Sequence, residues 1–205
     1  MLRARKILLL AVALTVPIIG LCSAPQMKLL PLQDKSTEAA TQFNTAIDYL
    51  NEKDFAEAVV WFRKAAENRL AVAQYNLAVA YDLGAGVEQD AKKAVFWYRK
   101  AALQNDPDAQ VLLAICLHNG DGVERNFDEA EKWFKRAAGL GSADAQYQIS
   151  LYYIEGRAVP KDYVQAYVFL SMAAAQGDSD AGELKEALSK KMSPEQIAEG
   201  KRRLE

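Results

Sequence analysis

The sequence predicts an all-α solenoid of stacked helical hairpins, and three observations carry that prediction. Residues 71–106, AVAQYNLAVAYDLGAGVEQDAKKAVFWYRKAALQND, share their plan with the next 36 residues and with the 36 after those. Within each unit, apolar residues recur at the i, i+3, i+4 and i+7 spacing of a helix face. Helix-ending glycines and helix-starting Asp or Asn residues fall at the same place in every unit. Such repeats bury their faces against their neighbours and build a continuous core. A stack of this kind ordinarily presents a surface to another molecule, so a binding scaffold is favoured over an enzyme.

Taken in order, residues 1–24 have the layout of an export signal. The basic cluster Arg3, Arg5 and Lys6 precedes the apolar run Ile7 to Leu21, and the small residues Ser23 and Ala24 follow. The run is about 15 residues, short of the roughly 20 that a free-standing transmembrane helix needs. Pro25 beside the cleavage point leaves an uncleaved N-terminal anchor as the alternative. Ile19-Gly20-Leu21-Cys22 also resembles a bacterial lipoprotein box with Cys22 as the acylated residue, except that Leu21 stands where that pattern has a small residue. The expected location is therefore exported, periplasmic or secreted, with membrane attachment through this segment as the variant. Residues 25–35, PQMKLLPLQDK, hold two prolines and no clean period, and read as a linker or a loosely docked lead-in to which no function is assigned.

Four hairpins follow, at about 36–70, 71–106, 107–142 and 143–178. An offset of 36 carries Trp97 to Trp133 and Phe169, Ala94 to Ala130 and Ala166, Ala101 to Ala137 and Ala173, and Gln74 to Gln110 and Gln146. The first hairpin has a turn four residues shorter, so Tyr75 matches Phe43 at an offset of 32. First helices are expected to end at Gly84, Gly120 and Gly156, where a residue without Cβ can take the left-handed conformation of a C-terminus. Second helices are expected to start at Asp54, Asp90, Asn126 and Asp162, with Glu57, Glu129 and Gln165 completing capping boxes in three of the four. Val87, Val123 and Val159 are expected to plug the loops between. Residues 179–205 read as a partial repeat and a C-terminal capping helix, in which Ser193-Pro194-Glu195-Gln196 is a capping box with proline at the first helical position.

The pattern AxAQYxLxxxYxxGxGVxxDxxxAxxWYxKAA, running from Ala71 to Ala102 and repeated with small changes from Pro107, resembles the Sel-one-like repeat, a relative of the tetratricopeptide repeat with a longer loop between its helices. The resemblance covers roughly residues 36–178 and implies a right-handed superhelix acting as a protein-interaction adaptor. The fourth copy departs from it at Ala158, where the family has glycine, and at Phe169-Leu170 in place of the Trp-aromatic pair.

Composition narrows the function further. The chain carries 51% hydrophobic and 25% charged residues, as a folded domain does, and without residues 1–24 it holds 22 basic against 27 acidic side chains. A mildly acidic body argues against nucleic-acid binding. Of two cysteines, Cys22 lies in the leader, so Cys116 is left alone at the repeat position of Ala80 and Tyr152, as a small buried hydrophobe. His118 is the sole histidine, which removes any His-based metal cluster or Ser-His or Cys-His couple, and no cofactor is expected. The basic pairs Arg63-Lys64, Arg99-Lys100 and Lys135-Arg136 read as a solvated face near helix C-termini.

Some disulfide-rich secreted members of the family have been linked to penicillin binding or hydrolysis, which makes a peptidoglycan-related enzyme, or a regulator of one, the alternative reading. This chain lacks the paired cysteines and any Ser-x-x-Lys. The resemblance to the tetratricopeptide fold puts the first helices on the inner, concave surface. The stripe along them is Phe43, Ile47 and Leu50; Tyr75, Val79 and Asp82; Val111, Ile115 and His118; and Tyr147, Leu151 and Ile154. Tyr75, Asp82, Val111, His118, Tyr147 and Ile154 are the candidate protein- or peptide-binding residues, although packing between adjacent hairpins would use the same positions.

Overall fold

The computed structural model describes Met27, Lys28 and residues 38–205. The leader, with Cys22 and its cleavage or acylation, lies outside the described residues, as does residues 25–35 apart from Met27 and Lys28. The described residues form ten α-helices: α1 (Glu38–Asn51), α2 (Phe55–Glu67), α3 (Ala71–Leu83), α4 (Ala91–Ala102), α5 (Pro107–Asn119), α6 (Phe127–Gly139), α7 (Ala143–Glu155), α8 (Tyr163–Ala175), α9 (Ser179–Ser189) and α10 (Pro194–Arg202). Each of α1 to α9 packs on its neighbours in chain order, and α10 folds back onto α8. Four hairpins, α1/α2 to α7/α8, are thus stacked in register with the sequence repeat.

The expected punctuation is present. Gly84, Gly120 and Gly156 take the left-handed conformation at φ 68°, 89° and 73°, and donate to the Ala80, Cys116 and Tyr152 carbonyls. Asp54, Asp90, Asn126 and Asp162 accept from the backbone N–H three residues on, at 2.9–3.1 Å. The reciprocal arm of the capping box, however, forms at Ser193 and Gln196 and not at the three predicted sites. Glu129 turns instead to Arg99 and to the Trp133 indole N–H at 3.2 Å, and Gln165 accepts from Arg203 at 3.2 Å. A charged or indole donor on a neighbouring side chain is a stronger draw than one exposed N-cap amide.

The long loops lie against the preceding hairpin. A Cβ at Gly86 would overlap the Phe55 carbonyl, and one at Gly122 the Ala91 carbonyl, so the second glycine of the loop is fixed by close approach. Ala158, at the same register, is held at φ 57°. Val87, Val123 and Val159 pack against the core, as expected.

That core is layered by the repeat. Phe62, Tyr98, Phe134 and Leu170 are buried at successive offsets of 36, between alanines such as Ala65, Ala101, Ala137 and Ala173 that are all 0% exposed. Small residues there let the second helices approach their neighbours closely. The tryptophans take the edge of the core, each under a cation three residues on: Lys64 lies 3.7 Å from the Trp61 ring centroid, Lys100 4.7 Å from Trp97 and Arg136 4.9 Å from Trp133. The basic pairs therefore cover aromatic rings as well as facing water.

Buried glutamines join one hairpin to the next. Gln74, Gln110 and Gln146 donate back to the Ala66, Ala102 and Ala138 carbonyls at 3.0, 3.1 and 3.3 Å, satisfying C-terminal groups that the preceding second helix leaves open. The stack is closed by α9 and α10, where Leu188 and Met192 join a cluster with Tyr167 and Leu170, and Gly200 lies against the Tyr167 ring.

Candidate peptide-binding face

The first helices α1, α3, α5 and α7 carry the predicted stripe, and its rows have different fates. Phe43, Tyr75 and Val111 are buried at 0%, 3% and 3% exposure, as is Val79, so packing between hairpins takes much of the upper row. Tyr147, Ile115, Leu151 and Ile154 are half-buried and offer part of their surface.

Asp82 and His118 are held by neighbours. Asp82 accepts from the Tyr98 hydroxyl at 3.2 Å, and burial raises its carboxyl above the ordinary value, a rise opposed by that bond and assisted by Asp121. The His118 Nδ1 lies 2.7 Å from the Tyr152 hydroxyl, its Nε2 lies 3.4 Å from Arg157, and its ring meets Phe127 and Tyr152 edge-on. Burial, then Arg157, lowers its pKa. Asp82 thus belongs to the seam between the two helices of its own hairpin, and His118 to the junction between its hairpin and the next. Cys116 is buried, and desolvation pushes its thiol up to about 12, so the thiolate that nucleophilic chemistry would need is suppressed.

The most developed polar site on this face involves residues that the repeat pattern did not single out. The Lys28 backbone N–H donates to Asn76 Oδ1 at 2.6 Å, and Asn76 Nδ2 donates to the Lys28 carbonyl at 2.8 Å. One side-chain amide on α3 thereby pairs with both backbone polar groups of a single residue, as a strand partner would. Asn76 is 0% exposed. The Lys28 ammonium contacts both Asp106 oxygens at 2.6 and 2.7 Å and Asp108 Oδ2 at 2.9 Å, and lies 4.3 Å from the centroid of the Tyr75 ring. Asp106 also caps α5 through the Ala109 N–H at 2.9 Å, which fixes its carboxylate. Met27 packs against the core beside it. Lys28 is therefore tied to the stack, within the stretch expected to be a linker or a loosely docked lead-in. A signal for Asn76 was available, since a polar residue stands between Tyr75 and Leu77 in a helix that is buried along most of its length. A signal for Lys28 was not, because its partners lie 48 and 78 positions away.

Comparison with known proteins bears on the whole stack. The family model described as Sel1 repeat matches residues 42–69, 71–106, 107–142 and 143–178. No curated protein matches. Among solved structures, the protective antigen c5321 of uropathogenic Escherichia coli strains, which displays an SLR fold, is 40% identical with a TM-score of 0.69, over 72% of this chain and 32% of that one. A Sel1 repeat protein from Oxalobacter formigenes is 38% identical with a TM-score of 0.68, over 75% of this chain and 64% of that one. The chain thus spans less than two thirds of either relative. Sel1 repeats generally mediate protein–protein interaction, and proteins built from them are generally scaffolds rather than enzymes. With four matched repeats covering most of its described residues, this chain belongs to the Sel1 repeat family.

Proposed function

We propose that the chain is a non-catalytic adaptor of the cell envelope that holds a protein or peptide partner along the face built by α1, α3, α5 and α7. The observation that carries this reading is the capture of the Lys28 backbone by Asn76: a side chain on this face already holds both backbone polar groups of a residue from outside the hairpins. A stacked array of helices meets its partner without an ordering cost of its own, which is how a modest set of contacts becomes useful affinity. The envelope location is supported by the basic, apolar and small-residue order of residues 1–24. The cell-wall enzyme reading gains nothing from the site, where the Cys116 thiol is held protonated and both His118 nitrogens face protein partners.

Affinity capture of the tagged full chain from its own envelope provides the test. Ile115→Ala together with Ile154→Ala is expected to weaken partner capture about tenfold with helical circular dichroism retained. Phe96→Ala, an exposed residue on a second helix, should leave capture unchanged. The opposite pattern would place the partner on the other face.

A further inference from the structure

The pocket that holds Lys28 has a second copy in the same chain. Adding 72 to Tyr75, Asn76, Asp106 and Asp108 gives Tyr147, Gln148, Asp178 and Asp180, which pairs aromatic with aromatic, amide with amide and two carboxylates with two carboxylates. The frame is the same as well. Tyr147 and Gln148 lie on the first helix of a hairpin, as Tyr75 and Asn76 do. Asp178 caps the next first helix, α9, through the Ala181 N–H at 2.9 Å, matching Asp106 at α5. Asp180, in the first turn of α9, matches Asp108. The intervening register offers no such set, since Leu112 stands at the amide position and Ser142 at the first carboxylate.

We infer that Tyr147, Gln148, Asp178 and Asp180 form a binding site for a lysine side chain presented by an extended peptide segment of the partner, with the Lys28 pocket as its occupied template. The inference rests on the adaptor reading above and deepens it by naming what the partner presents. Four features of the second pocket support it. Gln148 is only 9% exposed, and no hydrogen bond engages its side-chain amide among the described residues, which leaves its oxygen and its nitrogen for the N–H and C=O of one residue of a peptide. Asp178 and Asp180 form no ion pair with any described residue, whereas Asp106 and Asp108 share Lys28. Both carboxylates act on the Tyr147 hydroxyl, raising its pKa after burial has done so, which places ring and acids together. Tyr147 is also half-buried where Tyr75 is covered, so its ring has a face to offer. Two carboxylates around one ammonium leave a net negative site, which favours a cation over a neutral side chain of similar length.

The probe is a synthetic peptide of residues 25–33, PQMKLLPLQ, titrated into the isotope-labelled full chain and followed by nuclear magnetic resonance. The wild-type chain is expected to bind it with shifts centred on α7 and the start of α9, and more weakly as salt is raised. The same peptide carrying Lys28→Ala should bind about tenfold less tightly. In the chain, Asp178→Asn with Asp180→Asn keeps a capping side chain at 178 and should also cost about tenfold, while Asp106→Asn with Asp108→Asn should change affinity by less than about threefold. Gln148→Ala gives a second variant that touches neither cap, with a loss in the same direction. The inference is overturned if the folded wild-type chain fails to bind the peptide, if binding ignores the peptide's lysine, or if affinity is lost through Asp108 rather than Asp180. Loss of partner capture on Ile115→Ala with Ile154→Ala, but not on Asp178→Asn with Asp180→Asn, would remove this inference and leave the adaptor reading standing.

Discussion

His118 shows how a residue that looks functional in sequence is claimed by its neighbours. Its ring sits between Phe127 and Tyr152, and the charges facing it are Arg157, Arg125 and Glu155. Burial and Arg157 lower its pKa, so between that lowered value and the ordinary value of about 6.5 the unfolded chain binds the proton and the folded chain does not. Stability from this group is therefore present above about pH 6.5 and is lost as pH falls through that window. Thermal melts at about pH 7 and about pH 5 should show a drop for the wild-type chain, and His118→Gln should remove part of it. An equal drop in both chains would mean that other groups carry the acid sensitivity. A lone histidine at the end of a first helix was visible in sequence, but its partners were not, because Tyr152 and Arg157 belong to the next hairpin. Asn76 is the reverse case. It acquires meaning only through Lys28, which no period connects to it.

At the scale of elements, the hairpins were almost wholly legible. A glycine at a C-terminus and an Asp or Asn at an N-terminus are local devices, and local devices repeat visibly. What was less legible is how one hairpin is tied to the next. The offset of Gln74, Gln110 and Gln146 was plain, but their acceptors lie in the preceding hairpin and their second partners in the following loop. Gln104 donates to Gln74 at 2.8 Å and Gln176 to Gln146 at 2.9 Å. At the middle junction the corresponding residue is Leu140, 52% exposed, and Gln110 Oε1 is buried with no partner among the described residues. Leu140→Gln supplies the missing donor and should stabilise the chain by about 1 kcal/mol, which is about 2–4 °C in melting temperature for a chain of this size. No gain, or a loss, would show that the orphaned oxygen is satisfied by other means. The capping boxes mark the opposite limit. The Asp-x-x-Glu and Asn-x-x-Glu spacings are local, yet Arg99 from the preceding hairpin draws Glu129 away, and a pattern within one element cannot register that competition.

On the scale of the molecule, repetition makes the same face available several times over, with differences between units deciding which copy does what. The upper row of the stripe is consumed by packing at Phe43, Tyr75 and Val111, and remains partly open at Tyr147, in the last full hairpin. Lys28 joins α3 to the start of α5, and α9 and α10 close the other end. The open stretch of the first-helix face accordingly runs through Ile115, Leu151 and Ile154, and the adaptor proposal places the partner there.

The most direct test of that placement is site-specific photo-crosslinking in the native envelope. A photoreactive phenylalanine analogue replaces Ile115 or Leu151 on the first-helix face, and Phe96 or Met172 on the second helices, in otherwise unaltered full chains. Covalent adducts with one partner are expected from positions 115 and 151, and none from positions 96 and 172. Adducts confined to positions 96 and 172 would contradict that placement.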